Sequence, residues 1–283
     1  MVLSLILHNQ YEEIKKMEKI NILGTGSAMV TKCYNTCFTL SKDDEHFLID
    51  AGGGNTILSN LEKLNISINQ IHNMFISHNH NDHILGSVWV IRAVAQSILN
   101  DKYTGNLNIY CHKTSITAIR AICSFVLQKK FLKLFDTRIL FNEIEDNYTT
   151  TILNRTTTFF DIHSTKDLQH GFKTILSNGK SLTFLGDEPY RETVKTYSEN
   201  VDYLFHEAFC LYSQREIFKP YEKHHATAKD ACKNAKELNV KNIILYHTED
   251  KNLDNRKVLY ITEGKEEFDG NIYMPDDLDV IAL

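Results

Sequence analysis

The run Ser77-His78-Asn79-His80-Asn81-Asp82-His83 packs three imidazoles and a carboxylate into six consecutive positions, 78–83. On an extended backbone, residues two apart point to the same side, so His78 and His80 can converge on one cation. Asp82 and His83 follow where the chain turns into a helix, and can reach a second. Imidazole and carboxylate donors suit zinc, with manganese and iron as alternatives. Two such ions, about 3.5–4 Å apart, stabilise both the attacking and the leaving oxygen of a hydrolytic displacement. The run is too small to fill two metal shells. Further ligands must come from other strand ends, and the candidates are His163, Asp187 in Leu185-Gly186-Asp187, and His247, each of which follows an apolar stretch.

Short strands and amphipathic helices must position these groups. Met74-Phe75-Ile76 reads as a strand that runs into the histidine cluster, and 84–99 as a largely buried helix. Upstream, 19–23 is a strand, Gly24-Thr25-Gly26-Ser27 a turn, and 36–41 with 46–50 a hairpin whose polar tip is Asp43-Asp44. Ala51-Gly52-Gly53-Gly54 breaks the chain before a helix over 56–64. Downstream, 107–111 is a strand, 115–127 a helix, and 150–162, rich in Thr, Phe and Ile, a single strand. Residues 172–176 and 181–185 flank Asn178-Gly179, a hairpin signal. Strands at 203–205 and 243–245 bracket an amphipathic helix over 226–238, where Thr227 and Asp230 approximate a capping box. Strand-rich stretches alternating with helices in both halves fit two packed sheets with helices outside.

With 283 residues, 42% hydrophobic and 24% charged, the chain can bury a large core, and its 3 Pro and scattered Gly mark no linker. We read residues 1–16 as an N-terminal extension and 17–283 as one catalytic domain. A net charge of −5 argues against a permanent polybasic surface, although bound divalent cations would reverse the local sign. Six Cys without a Cys-x-x-Cys pair read as buried free thiols and suit a reducing, cytoplasmic setting. The apolar start is short and lacks the marks of a signal peptide. No run approaches the length of a membrane helix, so no membrane partner is expected.

At this point the chain resembles the metallo-β-lactamase superfamily. His78-x-His80-x-Asp82-His83 is the most specific mark; Leu48-Ile49-Asp50-Ala51-Gly52 precedes it, and His163, Gly186-Asp187 and His247 follow in the superfamily's order. Within it, the chain is most similar to the ribonuclease Z branch, through Leu23-Gly24-Thr25-Gly26-Ser27-Ala28, His206-Glu207-Ala208, His225-Ala226-Thr227 and Tyr246-His247-Thr248. Phe209 stands where that branch has Thr, and Ala226 where it has Ser. The resemblance implies an α/β fold, the αββα four-layer sandwich, with two divalent metal ions, zinc in the first place. His78, His80 and His163 would hold one ion, Asp82, His83 and His247 the other, and Asp187 would bridge them; His170 is the rival to His163. It also implies phosphodiester hydrolysis, in which Asp82 orients the attacking water or takes its proton. His225, backed by Glu207, is the candidate general acid for the leaving group.

Ribonuclease Z enzymes usually carry a long tRNA-gripping arm between the third-motif His and the Gly-Asp motif. Here the stretch from His163 to Asp187 holds one hairpin and no basic, glycine-rich run. Affinity for a long polyanion comes from many phosphate contacts, and no module for them is evident. The expectation is therefore a phosphodiesterase acting on a small or short substrate, a cyclic nucleotide or a nucleic-acid 3′ end. A tRNA 3′-processing endonuclease without its own arm, and a lactonase or thioesterase, are the alternatives. The aromatic segment 210–223 suits a lid over the site, a base-stacking wall or a dimer contact, and a homodimer is expected from the branch.

Overall fold

The computed structural model describes residues 18–283; the extension read over 1–16 lies outside them. Among the described residues, fourteen strands form two seven-stranded sheets. The first half supplies β1 (Lys19–Gly24), β2 (Cys37–Lys42), β3 (Glu45–Ile49), β4 (Ile71–Phe75), β5 (Leu107–Cys111) and β6 (Ile139–Glu143). The second supplies β7 (Tyr148–Ile152), β8 (Arg155–Asp161), β9 (His170–Ile175), β10 (Ser181–Phe184), β11 (Tyr203–Glu207), β12 (Asn242–Tyr246) and β13 (Asn271–Tyr273). The last strand, β14 (Val280–Ala282), returns to the first sheet and pairs antiparallel with β1. The orders are β14-β1-β2-β3-β4-β5-β6 and β13-β12-β11-β10-β9-β8-β7.

Alternation along the strands divides the core into three layers of contact. Ile20, Ile22, Phe38, Phe47, Ile49 and Phe75 face Phe159, Phe172, Phe184 and Phe205 between the sheets. Phe38 and Phe205 stack there at 4.3 Å. Leu23, Leu48, Met74 and Ile109 point the other way, against α1 (Thr56–Lys63), α2 (Asn81–Leu99) and α3 (Lys113–Val126). Leu204, Ile243 and Leu245 pack outward against α4 (Ala228–Glu237) and α5 (Arg256–Lys265). The result is the αββα sandwich expected from the motifs, with both faces of each sheet covered. The expected capping box is present: Thr227 and Asp230 bind each other's backbone N–H at the start of α4.

The stretch read as one strand over 150–162 is a hairpin, β7 to β8. Leu153 and Asn154 both take positive φ, 52° and 58°, the conformation of a two-residue type I′ turn. Leucine at such a position carries no turn signal, so the Thr-rich run looks continuous. All six cysteines are free, and only Cys33 is not fully buried. No helix among the described residues is long and apolar enough to cross a membrane.

The site is built where parallel strands end. β3 and β4 run parallel, as do β10, β11 and β12. In open α/β sheets, ligands gather beyond the carboxyl ends of such strands.

Candidate metal centre and cleft

Leaving β4, the chain stays extended to His80, which is the N-cap of α2, and Asp82 lies in the first helical turn, where the helix dipole favours a carboxylate. The turn is clamped from behind. Gly86 N–H donates to Gly52 O at 2.8 Å, and a Cβ on Gly86 would fall 1.8 Å from Ala51 O. Only glycine allows this approach of helix to turn.

Asp50, at the end of β3, fixes the cluster's inner side. Its carboxylate accepts from Ser77 N (2.8 Å) and Ser77 Oγ (2.7 Å) and lies 2.8 Å from His83 Nδ1. That contact turns His83 Nε2 toward Asp82 Oδ2 at 3.4 Å and Asp187 Oδ2 at 3.9 Å. Ser77 Oγ sits 3.0 Å from His78 Nδ1, which leaves His78 Nε2 for His80 Nδ1 at 2.9 Å. Thr36 Oγ1, 3.2 Å from His247 Nδ1, aims His247 Nε2 at Asp187 Oδ1, 2.8 Å away.

Asp187 is the hub. Its Oδ2 faces His78 (3.7 Å), His80 (3.9 Å) and His83, while its Oδ1 faces His247 and His225 (3.8 Å). The preceding Gly186 has φ 76°, a left-handed turn that swings Asp187 from β10 into the cluster, and Asp187 N–H donates to Gln169 Oε1 at 3.2 Å. Burial favours the neutral acid of Asp187, but the imidazoles led by His247 hold it well below the ordinary carboxyl range. Burial and the neighbouring His83 push His78 well down, whereas for His83 burial is overcome by Asp82 and Asp50, which hold it well above the ordinary imidazole value.

Three groups place their ligand atoms within 4.8 Å of one another: His78, His80 and Asp187; Asp82, His83 and His247; and Asp187, His225 and His247. Buried His83 Nε2 and Asp187 Oδ1 have charged neighbours, Asp82 Oδ2 at 3.4 Å and His247 Nε2 at 2.8 Å, but no aligned hydrogen bond, and the ligand atoms are the imidazole and carboxylate types that divalent metals take. The residues therefore fit such ions.

His163 is not brought into these groups. The chain leaves β8 and reverses at His163, φ 56°, where Asp161 Oδ1 accepts its backbone N–H at 2.7 Å and Asp161 Oδ2 lies 3.8 Å from its ring, half-exposed at 51%. The rival His170 is not there either. It is buried in β9, stacked 5.8 Å from His112, with its pKa pushed down to about 4 by burial and by that neighbour. Neither candidate for the third-motif ligand, His163 or His170, joins the three groups.

Glu207, at the end of β11, is fully buried and accepts the backbone N–H of Ala226. Its Oε2 lies 3.5 Å from His225 Nδ1. Burial disfavours a charged His225, but Glu207 and then Asp187 overcome this and raise its pKa above the usual value. Its Nε2 looks toward Lys166 Nζ at 3.5 Å. Phe209 stacks on the same ring at 5.0 Å. A cleft of about 310 Å³ opens over His80, Asp82, Asp187, His225 and His247, with Met29, Lys166 and Lys223 in its walls. The segment 210–223 is tethered along its length, and its last residue, Lys223, borders the cleft. Glu263 accepts the backbone N–H of Tyr212 (2.6 Å) and Ser213 (3.1 Å), and Tyr221 Oη donates to Asp230 at 2.8 Å. Sequence reasoning gave no role to Asp50, Thr36, Gln169, Lys166 or Lys223. Only Asp50 had a signal, its place in the Asp-x-Gly motif.

Comparison with known proteins gives a consistent picture. The model of the family described as "Anti-Pycsar protein Apyc1" matches residues 18–268. A ribonuclease Z of Azobacteroides pseudotrichonymphae is 23% identical over 264 residues, 81% of this chain and 87% of that protein. Among solved structures, the metallo-β-lactamase fold protein YhfI from Bacillus subtilis superposes with a TM-score of 0.76 at 18% identity, over 94% of this chain and 100% of that one. The short form of human tRNase Z, ELAC1, superposes at 0.70 and 19% identity, over 93% and 98%.

Proposed function

The chain belongs to the family described as anti-Pycsar protein Apyc1, a ribonuclease Z-like, metal-dependent hydrolase of the metallo-β-lactamase fold, and on that premise we propose that it is a binuclear phosphodiesterase acting on a small nucleotide, with cyclic nucleotides as the first class to test. His78, His80 and Asp187 would hold one cation, Asp82, His83 and His247 the other, with Asp187 shared. Bound divalent cations supply Lewis-acid charge for the phosphoryl group under attack. Asp82 orients the attacking water or takes its proton. His225 holds its Nδ1 proton against Glu207 and delivers one from Nε2 to the departing oxygen. Asp50 and Thr36 keep the His83 and His247 rings in register.

The observation that carries this reading is the His225–Glu207 pair beside Asp187. A poor alkoxide leaving group needs a positioned acid, and a fully buried carboxylate 3.5 Å from the ring supplies the orientation. The small-substrate part is supported by the cleft, about 310 Å³, a size that suits a small ligand, and by the β9–β10 hairpin, which fills the stretch where an arm would stand. The ribonuclease Z similarity favours a second reading, cleavage of precursor tRNA at its 3′ end.

Both are tested on metal-reconstituted protein against bis(p-nitrophenyl) phosphate, cyclic nucleotides and precursor tRNA, with chelator-treated protein and Asp187→Ala as controls. Cyclic-nucleotide turnover that depends on metal and on Asp187 is the expected result; specific tRNA cleavage instead selects the second reading. Failure with zinc, manganese and iron alike, on every phosphodiester, sinks both and points to lactones and thioesters. Asp187→Ala is expected to lose metal and activity together. His225→Ala is expected to keep its metal content and lose turnover on substrates with poor leaving groups, and full activity there removes the general-acid role.

A further inference from the structure

Lys166 and Lys223 line the cleft with no part in the chemistry above, and neither makes an ion pair with a carboxylate among the described residues. Both are presented by built segments. Glu188, buried directly after Asp187, accepts from Ser164 Oγ at 2.6 Å and from Thr165 N at 3.3 Å. Ser164 Oγ in turn accepts the Lys166 backbone N–H at 3.1 Å, and Arg191 Nη2 donates to both Glu188 (3.0 Å) and Thr165 Oγ1 (3.3 Å). On the other side, His225 N–H donates to Pro220 O at 2.9 Å and folds 220–225 into a tight turn. Thr165 Oγ1 lies 3.3 Å from His224 Nδ1, so the two segments are joined at the residues next to each lysine. Both lysines border the cleft that His225 lines: Lys166 Nζ is 3.5 Å from His225 Nε2, and Lys223 Nζ is 5.0 Å from the centre of the Phe209 ring, which itself stacks on His225. The carboxylates of the cleft, Asp82 and Asp187, face imidazoles instead.

We propose that Lys166 and Lys223 form an anion clamp that binds the non-bridging oxygens of the substrate's phosphodiester on the His225 side of the cleft. This rests on the phosphodiesterase reading, and makes the clamp the group that selects phosphoryl over neutral carbonyl substrates. Two ammonium donors on a phosphate are charge-assisted contacts that no ester or lactone carbonyl matches.

The test is calorimetric binding of inorganic phosphate to metal-loaded protein, beside KM and kcat on bis(p-nitrophenyl) phosphate. Lys166→Met and Lys223→Met are each expected to weaken phosphate binding about 10-fold, the range for a charged hydrogen bond discounted for solvent access. KM should rise more than kcat falls, with metal content unchanged. Lys166→Arg should recover most of the affinity, and Ser164→Ala, which leaves both lysines but loosens the strap, should lose a smaller part. Added KCl should weaken binding to the wild type more than to the double variant. Phosphate binding that is absent in the wild type, or equal in the wild type and both methionine variants, overturns the clamp. The two readings separate cleanly. Lysine-dependent phosphate binding without phosphodiester turnover keeps the clamp and removes the phosphodiesterase; turnover with lysine-independent binding does the reverse.

Discussion

Asp50 is not among the expected ligands, yet three donors converge on it: the backbone and hydroxyl of Ser77, and His83 Nδ1. A carboxylate behind a ligating imidazole fixes its tautomer and raises its basicity, and loss of such a partner costs about 10–100-fold in metal affinity. Asp50→Ala should therefore weaken metal binding by that factor while every proposed ligand remains. Competition against a chelator would show it, and unchanged affinity would deny Asp50 its orienting role. Acid should act on the fold through one buried imidazole. His46 is buried beside Thr39 Oγ1 at 2.9 Å, and burial pushes its pKa from 6.5 down to about 4. Between those values the unfolded chain binds a proton that the folded chain refuses, so stability is full above pH 6.5 and falls toward pH 4, by up to ~3 kcal/mol. Denaturant titrations at stepped pH should show this slope, and His46→Gln should flatten it.

At the scale of elements, the helix α2 and the turn 51–53 form one unit that aims four of the proposed ligands. Gly86→Ala puts a methyl 1.8 Å from Ala51 O, which forces backbone apart. We expect a loss of roughly 2–4 kcal/mol in unfolding free energy, the upper part of the overpacking range, together with weaker metal binding; a change within ±0.5 kcal/mol would mean that the helix slides without effect. The legibility of the sequence follows the same division. His78, His80, Asp82 and His83 were readable because a strand and a helix N-terminus place neighbouring residues together. Asp187 and His247 were readable through their order and their apolar leads, and Glu207 and His225 only through the resemblance of their motifs to the ribonuclease Z branch, since nothing local says that β10, β11 and β12 end side by side. His163 lies outside the three ligand groups on a left-handed turn that residue types do not announce. The β7–β8 turn was hidden by Leu153, and β13 and β14, three residues each, are too short for any periodic signal. Lys166 and Lys223 resemble any surface lysine until two loops place both on one cleft.

At the scale of the molecule, each sheet holds part of one site: Asp50 to His83 come from the first, and Asp187 to His247 from the second. Ligand binding should therefore couple the sheets, and chelation should lower the midpoint of a single unfolding transition rather than split it in two. The first sheet is also unfinished without β14. Ile20 pairs with Ile281, and Ile22 donates to Asp279 O at 2.9 Å while accepting from Leu278 N–H at 2.8 Å. Removal of residues 280–283 should cost about 2–4 kcal/mol, from one buried isoleucine and its ladder bonds, and should promote self-association through the bared β1. Light scattering beside a denaturation curve would test both, and a monomeric, equally stable product would contradict them.

That last pairing also sets a schedule for synthesis. The outer neighbour of residues 19–24 is made some 260 residues after them. At ~5–20 residues per second, β1 waits for ~10–50 s with one edge bare. Throughout that interval the nascent chain offers a ready-made docking edge to other nascent chains and to chaperones, and the protein's yield in the cell should depend on how well that edge is sheltered.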